Sequence, residues 1–260
     1  MSLLGSGLGR LGGGLPILAT NISVGDHLHV TAGGLTFNLD TLWETGVAML
    51  VVIGLGLLVS RRATSGVPGK LQLMWEMAVD AINRQLEGSV GPRGRSIVPL
   101  ALALFVFILV ANWLTTFEIG AKIDPLGPPT ADINLTLALA VIVIVPVHVA
   151  SIRTRGLRGY VKHYFSPYPF LFPINLVEEI AKPITLALRL FGNLLSSVLM
   201  IALLAALAAW TIAHIPIGDV ATLLLETVWK LFDLLIGAIQ AFIFSLLTIL
   251  YFDAAMSDAH

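Results

Sequence analysis

Arg189 stands between Leu188 and Leu190 in a run that carries no other Lys, Arg, Asp or Glu from Pro183 to His214. Arginine keeps its proton at any physiological pH, so it acts as a fixed charge and is a poor proton relay. That chemistry suits a gate or an electrostatic barrier. Asn193 follows four residues later on the same helical face, and Ser196 and Ser197 extend that face. Gly192 allows close approach, Thr185 lies one turn earlier, and Glu178 and Glu179 lie near the start of the run. A second apolar run carries Glu226, Asp233 and Gln240 at seven-residue spacing. A heptad holds residues on one stripe with a drift of only ~20° per repeat. Gly237 leaves room beside that stripe. Carboxylates in series are what a proton-access path needs, and a polar helix–helix seam is the competing reading. Lys230, at i+4 from Glu226, offers it a local ion pair.

The elements that hold these residues must be membrane helices. The 260 residues are 57% hydrophobic and only 12% charged, and the mean hydropathy is +0.90. Soluble domains carry about 25% charged residues, so half the usual charge cannot cover a water-soluble body of this size. Disorder and nucleic-acid binding are excluded on the same numbers, and a formal net charge of −1 gives no reason to bind a polyanion. The absence of cysteine removes thiolate chemistry and iron–sulfur clusters. The six histidines show no metal-ligand spacing, and His148 alone near a span end reads as structural. No cofactor is implied.

The sequence therefore predicts an all-α polytopic membrane protein. An extracytoplasmic tail covers 1–38, and one membrane domain covers 39–260. Spans are expected at 42–59, 97–117 and 133–152, each close to the ~20 residues that cross a ~30 Å hydrocarbon core. Two longer runs, 174–214 and 220–256, correspond to ~60 and ~55 Å of helix at 1.5 Å per residue. Helices of that length must tilt steeply or protrude. Pro183 is a candidate kink in the first. Residues 70–88 place Leu71, Met74, Trp75, Ala78, Ile82 and Leu86 at helical spacing opposite Glu76, Asp80, Asn83 and Glu87, which predicts an amphipathic surface helix.

Basic residues set the orientation. Loop 60–96 carries Arg61, Arg62, Lys70, Arg84, Arg93 and Arg95, and the loop after the third span carries Arg153, Arg155, Arg158 and Lys162. Loop 118–132 has only Lys122, and loop 214–219 has no Lys or Arg. By the positive-inside rule the N-terminus is outside and, after five spans, the C-terminus is cytoplasmic. Glu178 and Glu179 then lie on the cytoplasmic side, while Glu226 and Asp233 lie in the outer half.

The segment KPITLALRLFGN (182–193) closely resembles the signature of subunit a of bacterial F-type ATP synthases. IQAFIFSLLTILYF (239–252) resembles the last helix of the same family, and INLVEEIAKP (174–183) also fits. The resemblance implies a bundle whose two long, nearly horizontal helices clasp a rotating ring of c subunits. It implies b-type peripheral stalk subunits, the rest of the synthase and the bilayer of the bacterial plasma membrane as surroundings. Arg189 matches the family's stator arginine. Asn193 and Gln240 match its polar neighbours, and Tyr251 matches a tyrosine near the C-terminus. Where some members carry a glutamate nine residues after the arginine and a histidine seven before the glutamine, this chain has Val198 and Asp233. The outer relay here is therefore expected to depend on Asp233, with Glu226 as a second group.

The resemblance implies that protons enter past Asp233, Glu226, Asn193 and Gln240, and neutralise a ring carboxylate. They leave near Glu178 and Glu179, with Arg189 barring a direct leak. The chain is then a stator without a nucleotide site of its own. An ion channel or secondary transporter using the same intramembrane charges is the other function class. Internal inverted repeats would favour it, and five spans do not divide into two halves.

Overall fold

The computed structural model describes residues 29–32, 35–89, 97–114, 130, 132–165, 168–208 and 217–257. Two short strands, β1 (His29–Ala32) and β2 (Leu35–Asn38), form an antiparallel hairpin with His29 opposite Asn38. Six α-helices follow among the described residues: α1 (Leu39–Arg62), α2 (Lys70–Ser89), α3 (Val98–Leu114), α4 (Ile133–Tyr164), α5 (Phe172–Ala208) and α6 (Ile217–Ser257). The hairpin lies within the stretch 1–38 read as an N-terminal tail. Residues 1–28 of that tail lie outside the described residues, as do Glu118, Lys122 and His214.

Among the described residues, four helical segments are long and apolar enough to cross a membrane: Thr41–Arg62, Ile133–Lys162, Pro169–Ile201 and Ala221–Met256. The expected span at 97–117 is a shorter apolar helix, Val98–Leu114. Its 17 residues reach ~26 Å, and 115–117 lie outside the described residues. Residues 153–164, read as a basic loop, are helical instead. They continue α4 beyond a break at Gly156, whose φ of 71° is one that glycine takes at no steric cost. Pro183 does not end α5, which runs unbroken from Phe172 to Ala208. Residues 209–214 of the predicted run lie outside the described residues.

The core is built around α6, which packs against α2, α3, α4 and α5. Ala101, Leu104, Phe107, Ile108 and Ala111 of α3 and Ala140 and Val143 of α4 are buried with Leu186, Ala187 and Leu190 of α5 and Ala241 and Phe244 of α6. Small residues at these contacts let helix backbones approach closely. The outer-facing surfaces of α1, α5 and α6 are the reverse. Leu50, Leu199, Leu203, Leu224, Val228, Leu231 and Leu235 are exposed, which is the pattern of helices solvated by lipid or by other apolar surfaces.

Asp132 fastens the start of α4. Its Oδ1 accepts from the backbone N–H of Asn134 at 2.8 Å, an N-cap contact, and from Asn134 Nδ2 at 2.9 Å. Its Oδ2 accepts from Asn38 at 2.7 Å and from Thr41 at 2.9 Å, tying the hairpin and α1 to α4. Asp132→Ala removes the cap and orphans the buried Thr41 hydroxyl, so we expect a loss of roughly 2–4 kcal/mol. Thermal unfolding in detergent checks this, and Asp132→Asn, which retains an acceptor oxygen, should lose less.

Candidate functional site

Arg189 lies on the exposed side of α5, away from the core. Its helical neighbours Leu186, Ala187, Leu190 and Leu194 are all at most 3% exposed and pack inward. The fixed charge is therefore presented on an apolar outer face, beside exposed Ile184, Thr185 and Leu188.

The two long helices run antiparallel. Thr222 Oγ1 donates to the Leu204 carbonyl at 3.3 Å, Asp233 meets Ser197, and Tyr251 shares a cavity with Glu179. As numbering rises on α6 it falls on α5, which brings Gln240 to the level of Arg189. Of the residues on the two stripes, the antiparallel packing brings Asp233 and Ser197 together.

Toward the Leu204 end lies one polar cluster. Asp233 is half-buried, and the hydroxyl of buried Ser197 lies against its carboxylate. Asn193 is half-buried one turn before Ser197. The room beside Gly237 is filled by Asn112 of α3, whose Cβ is 3.0 Å from where a Cβ on residue 237 would stand. Asn112 Nδ2 donates to the Gly237 carbonyl at 3.3 Å, and its Oδ1 accepts from Thr130 at 3.1 Å. Gln240 is buried, and its amide nitrogen has no hydrogen-bond partner among the described residues. Glu226 is half-buried about two turns beyond Asp233, and no ion pair joins it to Lys230 among the described residues. The local pairing offered by the sequence is not formed.

The second cluster surrounds a cavity of about 350 Å³ at the other end of α5. It is lined by Glu178, Glu179 and Tyr251, which the sequence singled out, and by His148, Ser151, Arg155, Tyr160, Tyr164 and Lys182, to which it gave no such role. Lys182 Nζ donates to Glu179 Oε2 at 2.8 Å and lies 4.0 Å from Glu178 Oε1. His148 Nδ1 is 3.8 Å from Glu179 Oε1 and 3.2 Å from Tyr160 Oη, which is 2.7 Å from Tyr164 Oη. Burial, then the Tyr160 hydrogen bond and the nearby Glu179 charge, push the Tyr164 phenol above its ordinary range. Arg155 donates to the Ala254 carbonyl at 2.8 Å, pinning α4 to the end of α6. The turn at Gly156 folds the last part of α4 back so that Tyr160 reaches His148. The i, i+4 spacing of Tyr160 and Tyr164 beyond a glycine is the signal that could have found this pair.

Glu179 precedes Arg189 by ten residues and Ser197 follows it by eight, about 15 and 12 Å along the helix. Between the clusters the inward positions of α5 are the apolar Leu186, Ala187, Leu190 and Leu194. Two polar clusters are thus separated by a packed apolar segment, with one exposed arginine beside the separation. Among the described residues no group of acids and histidines is suited to hold a metal.

Comparison with known proteins gives the family of the chain. The family described as ATP synthase A chain matches residues 42–253. ATP synthase subunit a of Acidothermus cellulolyticus is 48% identical over 237 residues, covering 91% of this chain and 83% of that protein. The subunit a of Mycobacterium marinum is 44% identical over 249 residues, covering 92% and 96%. That of Moorella thermoacetica is 40% identical over 212 residues, covering 82% and 88%. These matches take in both long helices with Arg189, Asp233 and Gln240, and the chain belongs to the ATP synthase subunit a family.

Proposed function

We propose that this chain is the proton-path stator of a rotary ATP synthase, and that its two polar clusters are offset half-channels serving a ring of c subunits. The observation that carries this reading is the exposed Arg189 flanked on α5 by two polar clusters with apolar packing between them. A continuous pore would need polar lining past Leu186 and Leu190, and these belong to an apolar cluster with Ala241 and Phe244 of α6.

In this reading the N-terminus is outside and the C-terminus cytoplasmic, in the bacterial plasma membrane. α5 and α6, ~55 and ~60 Å long, lie steeply tilted against the ring, and α2 lies at the membrane surface. Protons enter from outside along Glu226, Asp233, Asn193 and Gln240. Each neutralises a ring carboxylate, which can then turn into lipid, where the charged form is costly. After nearly a full turn the carboxylate releases its proton into the cavity at Glu178, Glu179 and Tyr251. Arg189 attracts the deprotonated carboxylate and bars a direct passage. The membrane potential contributes about 2.3 kcal/mol per charge per 100 mV. The remaining synthase subunits, including a b-type stalk, hold the chain against rotation and carry the nucleotide chemistry.

The chain contains no cysteine, which makes the sidedness directly testable. Ser197→Cys and Ser151→Cys are near-isosteric changes at buried positions of the two clusters. A small membrane-impermeant thiol reagent should block proton transport through the first only from outside, and through the second only from the cytoplasmic face. Block of both from one face would indicate a single channel and overturn the reading.

A further inference from the structure

His148 sits where three elements meet. Its Nδ1 faces Glu179 on α5 and Tyr160 on the final segment of α4, and Tyr160 in turn touches Tyr164. Glu178, Lys182, Arg155 and Tyr251 complete the charged and titratable surroundings. The rings are held in place: His148 and Tyr160 pack edge-on at 6.0 Å, and Tyr160 and Tyr164 edge-on at 5.2 Å. Asn175 Nδ2 donates to the Tyr164 carbonyl at 2.9 Å, and Phe165 stacks on Phe172 at 4.7 Å, so the end of α4 is clamped to the start of α5.

We propose that His148, Tyr160 and Tyr164 form a proton relay that carries protons from Glu179 along the wall of this cavity to cytoplasmic water. The proposal rests on the half-channel reading of that cavity. When Nδ1 is unprotonated, the Tyr160 hydroxyl donates to it. When a proton from the cavity binds Nδ1, the direction reverses. His148 passes that proton to Tyr160 Oη, the Tyr160 proton moves to Tyr164 Oη, and the Tyr164 proton goes to water. Histidine ends neutral, both phenols end protonated, and one proton has moved. Imidazole is suited to this because it changes charge near neutral pH. Burial keeps the Tyr164 phenol protonated, so it can hand protons on without storing charge.

The test uses the complete synthase in sealed vesicles, with synthesis driven by an imposed proton gradient. His148→Ala should slow turnover by about tenfold, since a positioned proton carrier contributes that or more when other steps share control of the rate. The slowed rate should rise with the concentration of small buffer on the cytoplasmic face at fixed pH, while the wild type stays flat. Buffer replaces a missing proton carrier but cannot repair a packing defect. Tyr160→Phe preserves the ring contacts and should give the same buffer-dependent slowing, and the double variant should be no slower than His148→Ala alone. If His148→Ala fails to assemble, Tyr160→Phe carries the test. Wild-type turnover in Tyr160→Phe, or slowing that buffer does not relieve, would overturn the relay. Reaction of Ser151→Cys from the cytoplasmic face decides separately whether the half-channel itself stands.

Discussion

Replacing Arg189 with alanine is expected to abolish ATP-driven proton pumping by the reconstituted synthase while the complex still assembles. The two outcomes separate because the side chain is exposed on α5 and the packing of that turn is carried by Leu186, Ala187, Leu190 and Leu194. Removing it opens no hole in the core. In the proposed role, what is lost is the partner of an ionised ring carboxylate. Truncating one member of a desolvated charge pair costs roughly 2–5 kcal/mol. At about 1.4 kcal/mol per tenfold, that reduces the population of the ionised, stator-facing state by about 30-fold to several thousand-fold. Arg189→Lys keeps a charge, but as a compact ammonium that sheds its proton more readily when desolvated. It should therefore be strongly impaired as well. Quenching of a pH-sensitive dye in inverted vesicles measures pumping, and recovery of the ring with the chain measures assembly. Coupled pumping in Arg189→Ala at the wild-type rate would remove Arg189 from the proposed role.

The helices were legible because lipid imposes a simple rule: backbone polar groups must be satisfied within the segment. Long apolar runs could therefore be read as helices, and the two stripes on α5 and α6 followed from helical period alone. Features set by contact between distant segments were not legible. Ser197 was placed on the face of Arg189, but its contact with Asp233 depends on how α5 and α6 pack. Asn112 of α3 fills the space at Gly237 of α6, a contact that no spacing within either helix reveals. The basic stretch after the third span read as a loop because Arg153, Arg155, Arg158 and Lys162 interrupt its hydropathy. Those charges are equally at home on a helix beyond the membrane, and only the backbone at Gly156 shows where the chain turns. That turn is why His148, read as structural from sequence, comes within reach of Tyr160 and Glu179.

Asp233→Asn is expected to cut proton entry by about tenfold or more, because an amide keeps the shape and the Ser197 contact but cannot carry a proton. The effect should be large because α5 offers no acid at the level of Asp233; its two acids, Glu178 and Glu179, lie in the other cluster. Ser197 opposes Asp233, and the next residue on α5 is Val198, where some members of the family carry a glutamate. Glu226 lies about two turns away and has no ion-pair partner among the described residues. At that distance it does not replace a proton carrier at the Ser197 level. Glu226→Gln should therefore reduce flux less than Asp233→Asn does. The same logic predicts a rescue. Val198 is half-buried beside Ser197, so Val198→Glu in the Asp233→Asn background puts a protonatable group back at the same depth from the opposite helix. Partial recovery of synthesis driven by an imposed gradient is the expected result. Wild-type flux in Asp233→Asn alone would move the entry role to Glu226, and Glu226→Gln would then show the larger loss. Failure of Val198→Glu to restore any flux, with the complex assembled, would mean that entry requires the carboxylate on α6 itself.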